Sequence, residues 1–212
     1  MMGTRDMRPP FRLTGGFTLV ELLIAMAITA VALGAIYGVY ISSNRSYKTQ
    51  DRVVTVQQNV RASADFMIRA IRMAGLDPLA PATDATDTNG GGIKEATATK
   101  IRFTADIDMD GTIENSNEER VTFEYDAAND WIRRCLYEGT GSESWNNLVE
   151  NISDMTLGYL DEDGNAIAAP VAAGDLDDIR TVTISITGQG VDAQGQTFTR
   201  AVNIRVTCRN LY

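Results

Sequence analysis

A chain of 212 residues has room for one domain of ordinary size plus a terminal appendage, and no more. With 28 acidic against 19 basic residues its formal charge is −9, and no basic stripe is present to neutralise phosphates, which disfavours a nucleic-acid role. Histidine is absent, so the commonest general base and the commonest zinc ligand are missing together; no nucleophile-and-base arrangement is visible, and an enzyme is not expected.

The first stretch is basic, with Arg5, Arg8 and Arg12, and ends in Thr14-Gly15-Gly16. Residues 17–41, FTLVELLIAMAITAVALGAIYGVYI, follow with one charge, Glu21. Leu22 to Ile41 is uncharged, and a helix of that length covers about 30 Å, the hydrocarbon thickness of a bilayer. Basic residues precede this span and acidic ones dominate after it, which orients the N-terminus to the cytoplasm and the bulk to the far side. A carboxylate inside such a span is unfavourable unless something compensates it. Thr18-Leu19-Val20-Glu21 also fits a capping box, in which Thr18 caps the helix and Glu21 reaches back to a backbone N–H. Two plainer readings compete: a secretory signal peptide cut near Ala25 or Ala27, and a simple signal anchor.

Gly16 followed by Phe17-Thr18-Leu19-Val20-Glu21 and an apolar helix closely resembles the N-terminus of type IV prepilins and type II secretion pseudopilins. The resemblance implies that a membrane-embedded prepilin peptidase cuts after Gly16, that Phe17 becomes an N-methylated terminus, and that Glu21 serves assembly. On this reading residues 1–16 are a cleaved leader and 17–41 the transmembrane and assembly helix. Losing the leader removes three arginines and one aspartate, leaving a mature charge of −11.

Ser42 to Ala74 contains no proline, and apolar residues recur at Val53, Val56, Val60, Ala64, Met67, Ile71 and Ala74 in steps of three and four, the period of an amphipathic helix. Gly75 and Pro78 supply the stop. One helix from Phe17 to Ala74 would be about 87 Å long. Residues 42–75 are thus read as the helix continuing into a head of residues 76–212. Gly34 and Gly38 leave open whether the helix unwinds locally in a filament. Leu76 to Gly92, rich in Ala, Thr, Asp, Pro and Gly, reads as a long irregular connection.

Beyond it the period becomes two. Residues 101–107, 121–125, 131–137, 155–159, 182–186 and 202–206 alternate apolar with polar side chains, six strands or so joined by Asp, Asn and Gly turns. They predict an antiparallel sheet with one face on the helix. Cys208 continues the alternation of Val202, Ile204 and Val206, while Cys135 shares a face with Trp131 and Tyr137; both are expected in the sheet core, with Trp131 as a core residue too. On the outer side of a membrane these two cysteines are expected to form a disulfide, buried free thiols being the alternative. The role of Trp145 stays open.

Asp106, Asp108 and Asp110 alternate ahead of Gly111, placing three hard oxygen ligands around a tight turn as calcium loops do. The match to an EF-hand is partial, since position twelve is Asn117 and Glu118 and Glu119 lie just past it. Calcium at this tip and a solvated acidic turn both stay open. Asp161-Glu162-Asp163-Gly164-Asn165 reads as a plain turn.

The layout as a whole resembles the α+β pilin fold, a long N-terminal helix packed on an antiparallel sheet head. Within the family, the Gln57-Gln58-Asn59-Val60-Arg61 turn, Ile71-Arg72-Met73-Ala74-Gly75 and the closing Cys208-Arg209-Asn210-Leu211 are most similar to PilW-type minor pilins, with the J-type minor pseudopilin of type II secretion next. The resemblance implies a single-pass protein of the inner membrane with its head in the periplasm, later drawn into a filament with other minor and major pilins, or pseudopilins, by an inner-membrane assembly platform. Its contacts there are lipid and neighbouring helices, which small residues such as Ala25, Ala27 and Ala30 allow to approach closely. A membrane-anchored adhesin or calcium-binding module outside a filament is the rival reading.

Overall fold

The computed structural model of the protein describes residues 16–77, 91–114 and 118–211. The chain divides into two compact units, Met1–Ser46 and Tyr47–Tyr212. Its long helix, α1 (Leu19–Arg72), spans 54 residues.

In the first unit every large apolar side chain from Leu19 to Tyr40 is exposed, so this part of α1 is apolar all round and has no covering of its own. It is the one helix among the described residues that is long and apolar enough to cross a membrane. Gly34 and Gly38 do not interrupt it. Each lacks any neighbour within 4 Å of its Cβ position.

In the second unit α1 buries the stripe that its period implies, Val60, Ser63, Ala64, Met67 and Ile71. It stops at Arg72, two residues before the expected Ala74. Arg69 and Arg72 in its last turn suit the negative end of the helix dipole. Gly75 takes a φ of 78°, open to glycine at little strain, and its N–H donates to Thr104 O at 3.0 Å. A side chain there would strike Leu211. The expected irregular connection falls mostly on residues 78–90, outside the described residues.

Among the described residues nine strands form two antiparallel sheets, where one sheet of about six strands was expected. The first is a meander of β1 (Gly92–Ala96), β2 (Lys100–Thr104), β3 (Arg120–Asp126), β4 (Trp131–Leu136) and β5 (Ser144–Glu150) in that spatial order. The second has the order β7-β6-β8-β9, built from β6 (Ile152–Leu160), β7 (Ala166–Ile167), β8 (Thr181–Val191) and β9 (Thr197–Thr207). The Asp161 to Asn165 segment closes the turn between β6 and β7, with Asp161 Oδ1 accepting from Asn165 N at 2.8 Å.

Both sheets share one core with α1: Phe103, Phe123 and Ile132 from the first, Leu157, Tyr159 and Ile184 from the second, and Met67 and Ile71 from the helix. Phe66 meets Phe123 edge to face, ring centroids 6.1 Å apart, a favoured aromatic geometry. Buried Tyr159 keeps its hydroxyl satisfied by donating to Thr97 O at 2.7 Å. Trp131, expected in the core, is only half-buried. Its parity explains why: in the register Asp126↔Trp131, Tyr125↔Ile132, the neighbouring Ile132 takes the inward position.

Two glycines bring α1 close to β8. A Cβ on Gly188 would lie 2.4 Å from Val60 Cγ2, and one on Gly190 would lie 3.1 Å from Val56 Cγ2. At the helix side of the β8–β9 turn, Arg52 Nη1 donates to Val191 O and Asp192 O at 2.8 Å each, and Ala193 N donates to Thr49 Oγ1 at 3.2 Å. These polar contacts fasten the hairpin tip to the helix where apolar packing gives out.

Candidate functional site

Gly16, Phe17 and Thr18 precede the helix without regular structure, and all three are exposed, Phe17 at 90%. The residues before Gly16 lie outside the described part. At the helix start Thr18 and Glu21 form a reciprocal cap: Thr18 N and Thr18 Oγ1 donate to Glu21 Oε2 at 3.0 and 2.9 Å, and Glu21 N donates to Thr18 Oγ1 at 3.2 Å. This is the capping box that Thr-x-x-Glu spells, and it satisfies two of the donors that a helix start leaves unpaired. Both Thr18 donors go to one carboxylate oxygen. Among the described residues nothing donates to Oε1, so Glu21 keeps an acceptor for a second partner. The junction therefore combines an accessible Gly16–Phe17 amide, a helix beginning two residues later, and a half-committed carboxylate one turn into an exposed apolar surface.

At the acidic hairpin the sequence alternation fails after Thr104, where β2 ends. Asp106, which alternation places outside, is fully buried, and Ile107, which it places inside, is 41% exposed. The structure brings Asp106 and Asp108 together not with Asp110 but with Glu119, ligand oxygens of the three lying within 4.8 Å of one another. Asp110 instead accepts from Thr112 N and Oγ1 at 2.9 and 2.7 Å. Asp106 Oδ1 and Oδ2 accept from Asp110 N at 3.2 Å and Gly111 N at 2.9 Å. Buried Glu119 accepts from Ile107 N at 3.1 Å and Glu114 N at 2.7 Å. So the two buried carboxylates tie the hairpin backbone together, and with Asp108 they are the residues that could hold a cation. Glu119 was visible in the sequence only as lying past an EF-hand loop; its approach to Asp106 is made by the hairpin.

The expected disulfide is absent: both cysteines are buried free thiols. Cys135 is indeed on the face of Trp131, but that is the outer face of the first sheet. It pairs Thr122 and Trp145, while Phe123 and Ile132 point inward. Cys208 belongs to the shared core just beyond β9. Opposite faces of packed sheets put the sulfurs out of reach of each other, given the short Cα separation that a disulfide requires. The layer above Cys135 is ionic, with Lys100 Nζ 2.7 Å from Glu138 and 3.1 Å from Glu95, and Thr122 Oγ1 donating to Glu138 at 2.7 Å. Burial raises the Glu138 pKa, but its bonds from Lys100 and Thr122 outweigh that and hold the carboxyl below its ordinary value. Trp145 is 39% exposed and carries the Arg133 guanidinium 4.8 Å from its ring centroid.

Compared with known families, the chain matches the prokaryotic N-terminal methylation motif over residues 12–37. That match contains Gly16, Phe17, Glu21 and the apolar helix as far as Tyr37, and it makes the N-terminus similar to those of type IV pilin-like prepilins. No curated protein matches the chain.

Proposed function

We propose that the protein is a minor type IV pilin, a structural subunit without catalysis of its own, that is processed at Gly16 and built into the priming or tip region of a pilus. Cleavage hydrolyses the Gly16–Phe17 amide and frees the amine of Phe17, which is then methylated. The apolar part of α1 holds the subunit in the inner membrane with the head in the periplasm, and moves from lipid into a bundle of like helices as the filament grows. Small residues along it permit close helix approach, and polar pairs replace lost hydration. The amine of Phe17 on one subunit is the natural partner for the unused oxygen of Glu21 on the next.

The observation that carries this reading is the methylation motif set on an uncovered apolar helix whose only early charge is Glu21. The large head favours a minor over a major subunit. A minor pseudopilin of type II secretion uses the same parts and is the second reading; the motif favours both over an adhesin that needs no peptidase cut. Intact-mass and N-terminal analysis of the protein from a native host tests the proposal. We expect a chain that begins at N-methylated Phe17. A chain that retains Arg12, or that begins beyond Ala27, overturns it.

A further inference from the structure

We propose that β9 is a strand-addition edge that receives an extended, acidic segment of another polypeptide. Among the described residues four strands end the two sheets: β1, β5, β7 and β9. Natural proteins blunt such edges by shortness, bulges, charge or cover, because unpaired backbone groups otherwise template pairing. Three of the four are blunted here. β1 has five residues and a register shift between Ile93 and Glu95, and Val171 N caps its Ala96 carbonyl at 2.8 Å. The β5 register is broken opposite Ile132 and Arg133. β7 has two residues.

β9 is neither short nor bulged, and its charges are Arg200 and Arg205. It runs eleven residues in unbroken register with β8 and contains no proline, lysine or acid. Among the described residues the other side of β9 has no strand neighbour, and the one side-chain bond to its backbone is from Arg200 Nη1 to Thr199 O, at 2.9 Å. On its inner face Phe198, Val202 and Ile204 are only half-buried, because α1 sits over Gly188 and Gly190 of β8 and leaves the rim open. A further strand with apolar residues at alternate positions would cover that rim while pairing the backbone.

Charge selects the occupant. From Ala193 to Tyr212 the chain has three arginines and no acid, against −9 for the whole. Arg200 and Arg205 lie on opposite faces of β9 by register, and neither is joined to a carboxylate among the described residues. A second copy of β9 would bring two more arginines to the seam and nothing to pair them. A strand that carries Asp or Glu at both positions satisfies them, since opposite charges facing across a strand pair are favourable and like charges are not.

The test uses the full chain in detergent micelles and two synthetic peptides of β9's length that alternate Val and Thr. One has Glu and the other Lys opposite Arg200 and Arg205. We expect the Glu peptide to slow amide hydrogen exchange across Thr197–Thr207 and to bind roughly tenfold tighter than the Lys peptide, the difference that two reversed cross-strand charge pairs allow. In the Arg200→Glu, Arg205→Glu double variant the preference should reverse. Equal binding of the two peptides, protection confined to β1 or β5, unchanged exchange on β9, or self-association of the wild type through β9 would each overturn the proposal.

Discussion

Asp106 and Glu119 show how a residue can be buried, charged and still structural. Each carboxylate accepts two backbone N–H groups of the hairpin. Without Asp106, Gly111 N loses its acceptor, while Asp110 N keeps Asp108 Oδ1 at 3.3 Å. A donor left unsatisfied costs about 1–3 kcal/mol, so Asp106→Ala should lower stability by roughly that amount and Asp106→Asn by less. Chemical denaturation of the full chain in detergent measures both. The same variants test the ion, since calcium takes hard oxygen ligands of this type. We expect calcium to raise the Tm of the wild type and to have no effect on Asp106→Ala. Identical melting curves with calcium and with chelator would mean that the backbone donors alone satisfy this cluster. The cysteines make a second prediction at this scale. Burial pushes the Cys208 thiol up to about 12. A raised folded pKa means that the protonated thiol's contribution is complete below the ordinary thiol range and is lost as pH climbs from about 9 towards 12. Thiol labelling of the native chain at mildly alkaline pH should therefore leave Cys208 unmodified, and labelling in denaturant without reductant should modify both cysteines. Two unreactive cysteines in denaturant would restore the disulfide.

The elements that a period reveals are those whose two faces differ. β2, β3, β6, β8 and β9 were legible because Ile101, Phe123, Leu157, Ile184 and Ile204 alternate with polar residues, and α1 because Val60, Ala64, Met67 and Ile71 step by three and four. β1, β5 and β7 were not, since edge strands such as Ser144–Glu150 carry Asn and Ser where a central strand carries branched apolar residues. Parity without a known inner face also misled at Cys135, and no local pattern could show that Glu119 returns to Asp106. The motif and the capping box at the junction were legible because their information is contiguous: Gly16, Phe17, Thr18 and Glu21 fall within six positions. Gly188 and Gly190 lie beyond the alternation that the sequence shows at 182–186, and in the fold Val60 and Val56 of α1 lie against them. Gly188→Ala places a methyl 2.4 Å from Val60 Cγ2, so the Val60 side chain or the helix that carries it must shift. Overpacking of this kind costs about 1–3 kcal/mol. Val60→Ala should return part of that loss in the double variant, a coupling that a double-mutant cycle on denaturation midpoints would read. Strict additivity would mean that the glycine is needed for its backbone and not for the approach of the helix.

At the scale of the whole molecule, Glu21 separates a filament subunit from a protein that is merely anchored. For an anchor, Glu21→Val removes a carboxylate from an apolar span, so insertion and abundance hold or improve. The capping box is lost, but Thr18 Oγ1 can still accept from the backbone N–H at position 21, and the helix start survives. For a filament subunit the same change has a further effect. The unused oxygen of Glu21 is what a neighbour's methylated Phe17 amine would meet in a core without water, and without it that amine is left buried and unpaired, which is strongly unfavourable. Peptidase cleavage depends on Gly16 and the accessible amide beside it, which the substitution leaves in place. We therefore expect the Glu21→Val protein to be stable, cut after Gly16 and resident in the membrane, yet missing from sheared filaments, with piliation or secretion reduced. Immunoblots of membrane and sheared fractions from strains carrying wild type or variant measure this. Glu21→Asp, which keeps the charge but shortens its reach, should fall between the two. Recovery of Glu21→Val in the filament fraction at the wild-type level would remove the assembly role from this residue and leave it as a helix cap.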